Sequence, residues 1–307
     1  MPFPRPTDWG IDNTHIDTFS ANVNRLAQQT SYLFSGKIRE DNKQGEVSWH
    51  DTIKPRTHNI ITVRGAVTPL VESEWFRRGV SATGYDNAAP LFIEDAIRQL
   101  IEPRSPITQE MVNSRMRLKN QSVIDAALGS AMQKSQGHKG AISFVPLPSG
   151  NKIAVDYGTP GTNTGLTTGK LRALRKKFLD LDDPRFTQGT ETLYLLCSPD
   201  ALMRFLEWAE KNSTSNVLSV RELIDGKINR WMGFEWILTG QIPAVADVRP
   251  MIAFAKDGLL HNTWKTMTRA DWRPDLSYTW QAYDRIDHGA VRLNDQLVHI
   301  AYNDESV

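Results

Sequence analysis

The stretch from Lys37 to about Leu70 constrains this chain more than any other, because it patterns as a ribbon and carries too little apolar material to support one. Val47, Trp49 and Ile53 alternate along one arm, Ile60 to Val67 supply the other, and Lys54-Pro55-Arg56-Thr57-His58-Asn59 reads as the turn between them. A two-stranded ribbon is marginal in water unless one face is covered. It must therefore lie on its own body or on a neighbouring molecule.

The rest of the chain can supply such a body. Its 307 residues, 40% of them hydrophobic, are enough for one large or two ordinary domains with real cores, and disorder is excluded as the main state. Thirty-six Lys and Arg against thirty-five Asp and Glu leave a net charge of +1. That balance argues against a dedicated reader of DNA sequence, which needs a basic surplus to neutralise phosphates, and it removes the self-repulsion that opposes association. The one cysteine, Cys197, excludes intrachain disulfides and Cys-rich metal sites and points to a reducing compartment. No run approaches the roughly 18 apolar residues of a membrane span, and Met-Pro-Phe-Pro-Arg-Pro does not read as a signal peptide, so a cytoplasmic chain with no membrane partner is expected.

Proline at positions 2, 4 and 6 predicts an extended arm over residues 1 to about 10. Asn13 and Thr14 are candidate caps for a helix whose stripe is Ile16, Phe19, Val23, Leu26, Thr30 and Leu33, ending near Gly36. A short helix is expected from Leu91 to Ile101, opened by Pro90. Ser105 and Pro106 open the longest helix, about 105–132, through Met111, Val112, Met116, Val123, Ile124, Ala127, Leu128 and Ala131. Strands are expected over Ala141–Leu147, Lys152–Tyr157, Leu193–Cys197, Phe234–Leu238, Met251–Ala255, Ser277–Tyr283 and Val291–Tyr302. Helices are expected over Leu166–Leu179, after Ser198-Pro199-Asp200, and from a Ser219/Glu222 capping box. The order implies α+β layers rather than regular strand-helix alternation.

No motif assigns chemistry. Thr164-Gly165-Leu166-Thr167-Thr168-Gly169-Lys170-Leu171 resembles a phosphate-binding loop, but it has Thr164 where the first glycine is needed and Leu171 where a magnesium-ligating hydroxyl is needed. A loop with Thr167 or Thr168 as a helix N-cap accounts for it better. Seven scattered histidines form no helical ligand pair. Cys197 ends an apolar run, where its thiol is desolvated and inert. Asp180, Asp182 and Asp183 before Pro184 read as turn formers ahead of a cation site, and Arg172 to Lys177 as a solvated helix face ahead of a nucleic-acid contact. Nine tryptophans, with Trp264, Trp272 and Trp280 close together, suit a core or a buried interface. No catalytic, cofactor or metal residue is expected.

Whole segments say more than these motifs. Asp287-His288-Gly289-Ala290-Val291-Arg292-Leu293-Asn294-Asp295, running into Val298-His299-Ile300, resembles the closing strand of tailed-bacteriophage major capsid proteins of the Hong Kong 97-like fold. Gly165-Leu166-Thr167 with Lys170-Leu171 is similar to that family's lead into a helix, and Ser198-Pro199-Asp200 to a later helix start. Leu223-Ile224-Asp225-Gly226-Lys227-Ile228, followed by Trp231-Met232-Gly233-Phe234-Glu235-Trp236, resembles its helix, loop and Gly-Phe strand. Asp95, Leu100, Pro103, Ser105 and the long helix to Gly129 fit the same layout, so the likeness spans nearly the whole chain.

The resemblance implies an N-terminal arm and helix over 1–36 and a hairpin termed the E-loop over 37–70. It further implies a peripheral domain over 71–165 and 267–307 with its spine helix, and an axial domain over 166–266. It implies a non-enzymatic virion protein that assembles in the host cytoplasm into hexamers and pentamers of an icosahedral shell around double-stranded DNA. Expected partners are further copies of itself and packaged DNA held non-specifically on the inner face, with scaffolding either separate or absent and portal and decoration proteins left open. No fused scaffolding segment is expected ahead of the arm. Some relatives crosslink subunits through an E-loop lysine; Lys37, Lys43 and Lys54 lie in or near this one, but no acceptor or catalytic Glu is identified and no crosslink is expected. The rival readings are an encapsulin-like compartment shell, a cytoplasmic nucleotide-binding enzyme built on Gly165 to Lys170, and a phage structural protein other than the shell, such as a tail or decoration component.

Overall fold

The computed structural model describes residues 29–65, 67–68, 70, 72–91, 104–134, 140–212, 214–226, 229–276 and 279–306. The arm, most of the first expected helix and the helix expected over 91–101 lie outside them, save that Leu91 ends a strand and residues 33–37 form a turn at the expected helix's end. Three sheets and five helices make up the described chain.

A six-stranded sheet holds the core. Its order is β7 (Lys152–Ile153), β14 (Val298–Asp304), β11 (Val248–Ala255), β8 (Leu193–Cys197), β10 (Phe234–Leu238) and β9 (Arg230–Trp231). β8 and β11 read as nearly continuous apolar runs because both faces of this sheet are covered. Leu193, Leu195, Cys197, Met251 and Ala253 face α2 (Thr168–Leu179), α3 (Pro184–Thr187), α4 (Pro199–Asn212) and α5 (Thr214–Ile224) through Leu171, Leu174, Phe178, Phe186, Phe205 and Val220. Leu196, Ile252 and Phe254 face the other way, onto Phe34, Ile38, Val123, Ile124 and Ala127.

The last three residues belong to the long helix, α1 (Arg104–Leu128). Its 25 residues span roughly 37 Å. It stops short of the expected residue 132, because Ala131 turns into β5 (Ala131–Lys134). α1 also lies on a second sheet of order β1 (Arg39–Asn42), β12 (Leu259–Arg273), β13 (Thr279–Arg292) and β4 (Thr83–Leu91). Arg115 pins it there: its guanidinium donates to Asp284 on β13 at 2.7 Å and to Thr268 on β12 at 3.1 Å.

The third sheet, β2 (Val47–Ile53), β3 (Trp75–Ser81), β5 and β6 (Ile142–Val145), corrects the expected ribbon. β2 pairs antiparallel with Trp75–Ser81, from Val47 opposite Ser81 to Ile53 opposite Trp75, and not with Ile60 to Val67. Residues 54–74 form the connection instead. The root of this ribbon is fixed where β3 passes over β13: a Cβ on Gly289 would stand 2.5 Å from the Ser81 carbonyl oxygen, so only glycine permits the crossing.

Other expectations shift too. Pro90 lies in β4, an edge strand that tolerates a missing N–H, rather than at a helix start. Ser219 and Glu222 sit inside α5, not at its N-terminus. The single strand expected over Val291–Tyr302 is the end of β13, a 3-10 turn at Asp295–Leu297, and β14.

Candidate assembly surfaces

The phosphate-loop look-alike is a buried structural lock. Thr167 caps α2 as expected, its hydroxyl accepting from the Lys170 N–H. Lys170 is fully buried, and its ammonium donates to the carbonyls of Thr164 (2.7 Å), Gly165 (3.0 Å) and Tyr302 (2.8 Å). Burial lowers its pKa to about 8, with Asp304 and Asp156 opposing. All three protons are committed to backbone, so no donor is left for a phosphate. Neither the native chain nor Lys170→Ala is expected to show saturable ATP or GTP binding at millimolar nucleotide by calorimetry. Lys170→Ala should instead lower unfolding stability by about 3 kcal/mol, since it strands three carbonyls that the ammonium now satisfies.

The remaining candidates resolve into structure. Asp183 caps α3 through the Arg185 N–H, and Asp182 adopts φ 52° in the turn before it. Cys197 is fully buried, and burial with Glu305 nearby pushes its thiol up to about 12. Arg172 and Lys176 are exposed on α2, whereas Lys177 donates to the Gly150 carbonyl and Arg175 to that of Phe186. Trp280 packs with Met111 and Ala282; its cross-strand neighbour Trp272 stays half exposed. Among the described residues, no three His, Cys, Asp or Glu side chains converge as metal ligands. Lys37 pairs with Glu235 (3.1 Å), Lys43 with Asp41 (3.6 Å) and Lys54 with Glu74 (2.6 Å).

What the chain does display is apolar surface on its extended parts. Along 54–74, Ile60, Ile61, Val67 and Leu70 are each at least 84% exposed and Val63 63%. Monomeric proteins seldom expose so many aliphatic side chains in one short stretch. Next to the ribbon, Ile142 and Phe144 of β6 are also exposed.

Beneath this surface the ribbon is anchored rigidly. Arg292, fully buried, donates to the carbonyls of Ala127 (3.3 Å), Gly129 (2.8 Å) and Val145 (3.1 Å) and to the Asp295 carboxylate (2.5 Å). Arg78 of β3 meets the other oxygen of Asp295 at 2.6 Å. One carboxylate thus ties the ribbon root to the end of α1 and to the close of β13. Asn120 adds a second tie: its amide donates to the Ser31 carbonyl and accepts from the Leu33 N–H, holding the segment that leads into β1. Sequence reasoning missed both, since a buried Arg or Asn carries no local pattern.

The comparisons agree with this geometry. A family model described as phage capsid protein matches residues 11–305. The fold is similar to the capsid of cyanophage P-SCSP1u, with a TM-score of 0.68 at 12% identity over 98% of this chain and 99% of that one. It is similar to the cyanophage Pam1 capsid, with a TM-score of 0.68 at 12% identity over 95% and 97%. The holo-SrpI encapsulin complex from Synechococcus elongatus PCC 7942 gives 0.59 at 9% identity over 97% and 96%. No curated protein matches the sequence. With the family matched over nearly its whole length and the Hong Kong 97-like α+β fold in place, the chain belongs to the phage capsid protein family and is a structural component of the virion shell.

Proposed function

We propose that this chain is the major capsid subunit that builds the icosahedral head by self-association into hexamers and pentamers. The observation that carries this is the ribbon β2–β3 with its connection 54–74, an extended device whose aliphatic side chains have no cover on their own subunit. On this reading the ribbon is the E-loop and lies across an adjacent subunit. Many modest contacts made at once then close a shell far stronger than any one pair.

The domain assignment follows the same reading, with the ribbon's bounds moved to its observed strands: arm and helix over 1–36, E-loop from Val47 through 54–74 to Ser81, peripheral parts over 82–165 and 267–307, axial part over 166–266. What supports it is that α2 to α5 cover one face of the six-stranded sheet, while α1 lies between its other face and the sheet of β12 and β13. Strand β14 stitches these parts together by adding between β7 and β11. The subunit works without a catalytic, cofactor or metal site. Assembly takes place in the host cytoplasm, with the chain itself closing the shell, and the inner face holds double-stranded DNA without reading its sequence.

The test is to replace residues 54–74 by a two-residue turn joining Ile53 to Trp75. Native-sequence chains should give closed particles by negative-stain microscopy and light scattering. The shortened chain should keep the far-UV circular dichroism of the subunit and form none. Particles of normal size from the shortened chain would remove the E-loop assignment. The likeness to an encapsulin favours one second reading, a compartment around cargo enzymes, and the contents of particles isolated from the native host separate genome from cargo.

A further inference from the structure

The outward face of the third sheet is apolar and uncovered. Strand alternation turns Ser48, Val80 and Ala131 inward, all three buried, and leaves Trp49, Gly79, Met132 and Phe144 in one cross-strand row on the other face. A Cβ on Gly79 would stand 2.5 Å from Met132 Cε and 2.7 Å from Trp49 Cζ3, so glycine alone lets those two side chains close over it into a continuous stripe. Phe144 ends the stripe 69% exposed, and Ile142, Trp75 and Ile53 stand half exposed on the same face. Aromatic surfaces of this kind take up polyproline segments, whose preformed helix loses little entropy on docking.

We propose that the stripe receives the chain's own Pro2-Phe3-Pro4-Arg5-Pro6, so that each free subunit covers this face with its arm. The alternating prolines fix φ near −65° and favour polyproline geometry. At about 3.1 Å per residue, Pro2 to Pro6 extends roughly 12 Å. Trp49 to Phe144 is a matching length, since they stand three strand spacings apart, about 14 Å. Charge fits as well. Arg5 is the one charged side chain of this segment, and Asp125, exposed, shares a recess with Met132 and Phe144 where it can meet the guanidinium. Asp51, on the same face, is already held by Arg77.

The tether is long enough for the contact to form within one chain. Asn120 of α1 holds Ser31 and Leu33, α1 runs about 12 Å from there to Leu128, and Met132 is at most about 14 Å further on. Residues 7–28 span roughly 33 Å even at helical rise. A segment tethered this way meets its seat at an effective concentration of millimolar order, far above that of other chains in dilute solution. The contact is internal to the subunit, so it stands whether or not the shell reading does.

Synthetic Met-Pro-Phe-Pro-Arg-Pro is the probe, measured by calorimetry against the full-length chain carrying Pro2→Ser, Pro4→Ser and Pro6→Ser. It should bind this variant saturably, and the native chain about tenfold more weakly, because the native arm competes for the seat. Adding Phe144→Ser, at a position too exposed to threaten folding, should abolish binding, whereas adding Leu218→Ser, exposed on α5, should leave it unchanged. No binding to the triple variant at millimolar peptide would overturn the seat. Binding that survives Phe144→Ser would place the peptide elsewhere and overturn it too, and equal affinity for native and triple-variant chains would overturn its occupation by the chain's own arm.

Discussion

Arg292→Met is expected to cost about 3 to 5 kcal/mol of subunit stability, the range for breaking a buried ion pair by removing one partner. Methionine keeps much of the volume and none of the donors. The carbonyls of Ala127, Gly129 and Val145 then lose the guanidinium in a site that water does not reach, and Asp295 is left with Arg78 alone. Arg292→Lys should recover only part of the loss, because a single ammonium cannot replace a planar fork that meets four acceptors in different directions. Denaturant unfolding of the free subunit measures this. Removing the exposed Arg221–Glu210 pair gives the comparison and should change stability by no more than about 1 kcal/mol. Equal effects from the two would contradict the role given to Arg292.

Acid is expected to weaken the subunit well above the range where carboxylates titrate. His261 and His288 lie under α1 with their rings 3.1 Å apart, Nε2 to Nδ1, and His299 sits edge-on to Phe178. All three are buried. Burial holds His261 down to about 3, with His288 and Lys119 adding to it. Burial and Lys119 hold His288 at about 4 against the pull of Asp287, and burial and Lys177 hold His299 at about 4. In the unfolded chain each returns to about 6.5. Between these values the unfolded state binds more protons, so stability is full above pH 6.5 and falls as pH drops toward 4. By pH 4.5 each imidazole accounts for about 2.5 kcal/mol, and the three together for about 7 kcal/mol. Denaturation midpoints from pH 7 to 4.5 measure the slope, and His261→Gln with His288→Gln should flatten it. A midpoint that stays constant over that span would refute the assignment.

The parts legible in the sequence were those where local pattern and burial coincide. β8 and β10 run as expected, residue for residue, because both are short, apolar and covered on two sides. Thr167 was legible as a cap because capping is a local act of one hydroxyl. β12 was missed because its outer half, Lys265 to Arg273, is largely exposed and charged and so carries no apolar alternation. The partner of β2 was missed for a different reason. Pro55 and Asn59 look like a turn, and nothing in a periodicity says that the returning strand waits until Trp75. Lys170 and Arg292 were opaque in the same way, since what makes each important is a set of carbonyls brought from distant parts of the chain.

The position of the last strands sets a clock for synthesis. β13 lies between β12 and β4, β14 lies between β7 and β11, and Arg78 waits for Asp295, 217 residues downstream. A chain still on the ribosome can form α1 and the helices after it, but two of its sheets lack an interior strand and its ribbon root lacks its anchor. Contacts of such long sequence separation form late and slowly. Nascent chains crowded on one messenger therefore carry incomplete sheets and an unanchored ribbon, and assembly is deferred until each subunit has been released and has closed its sheets.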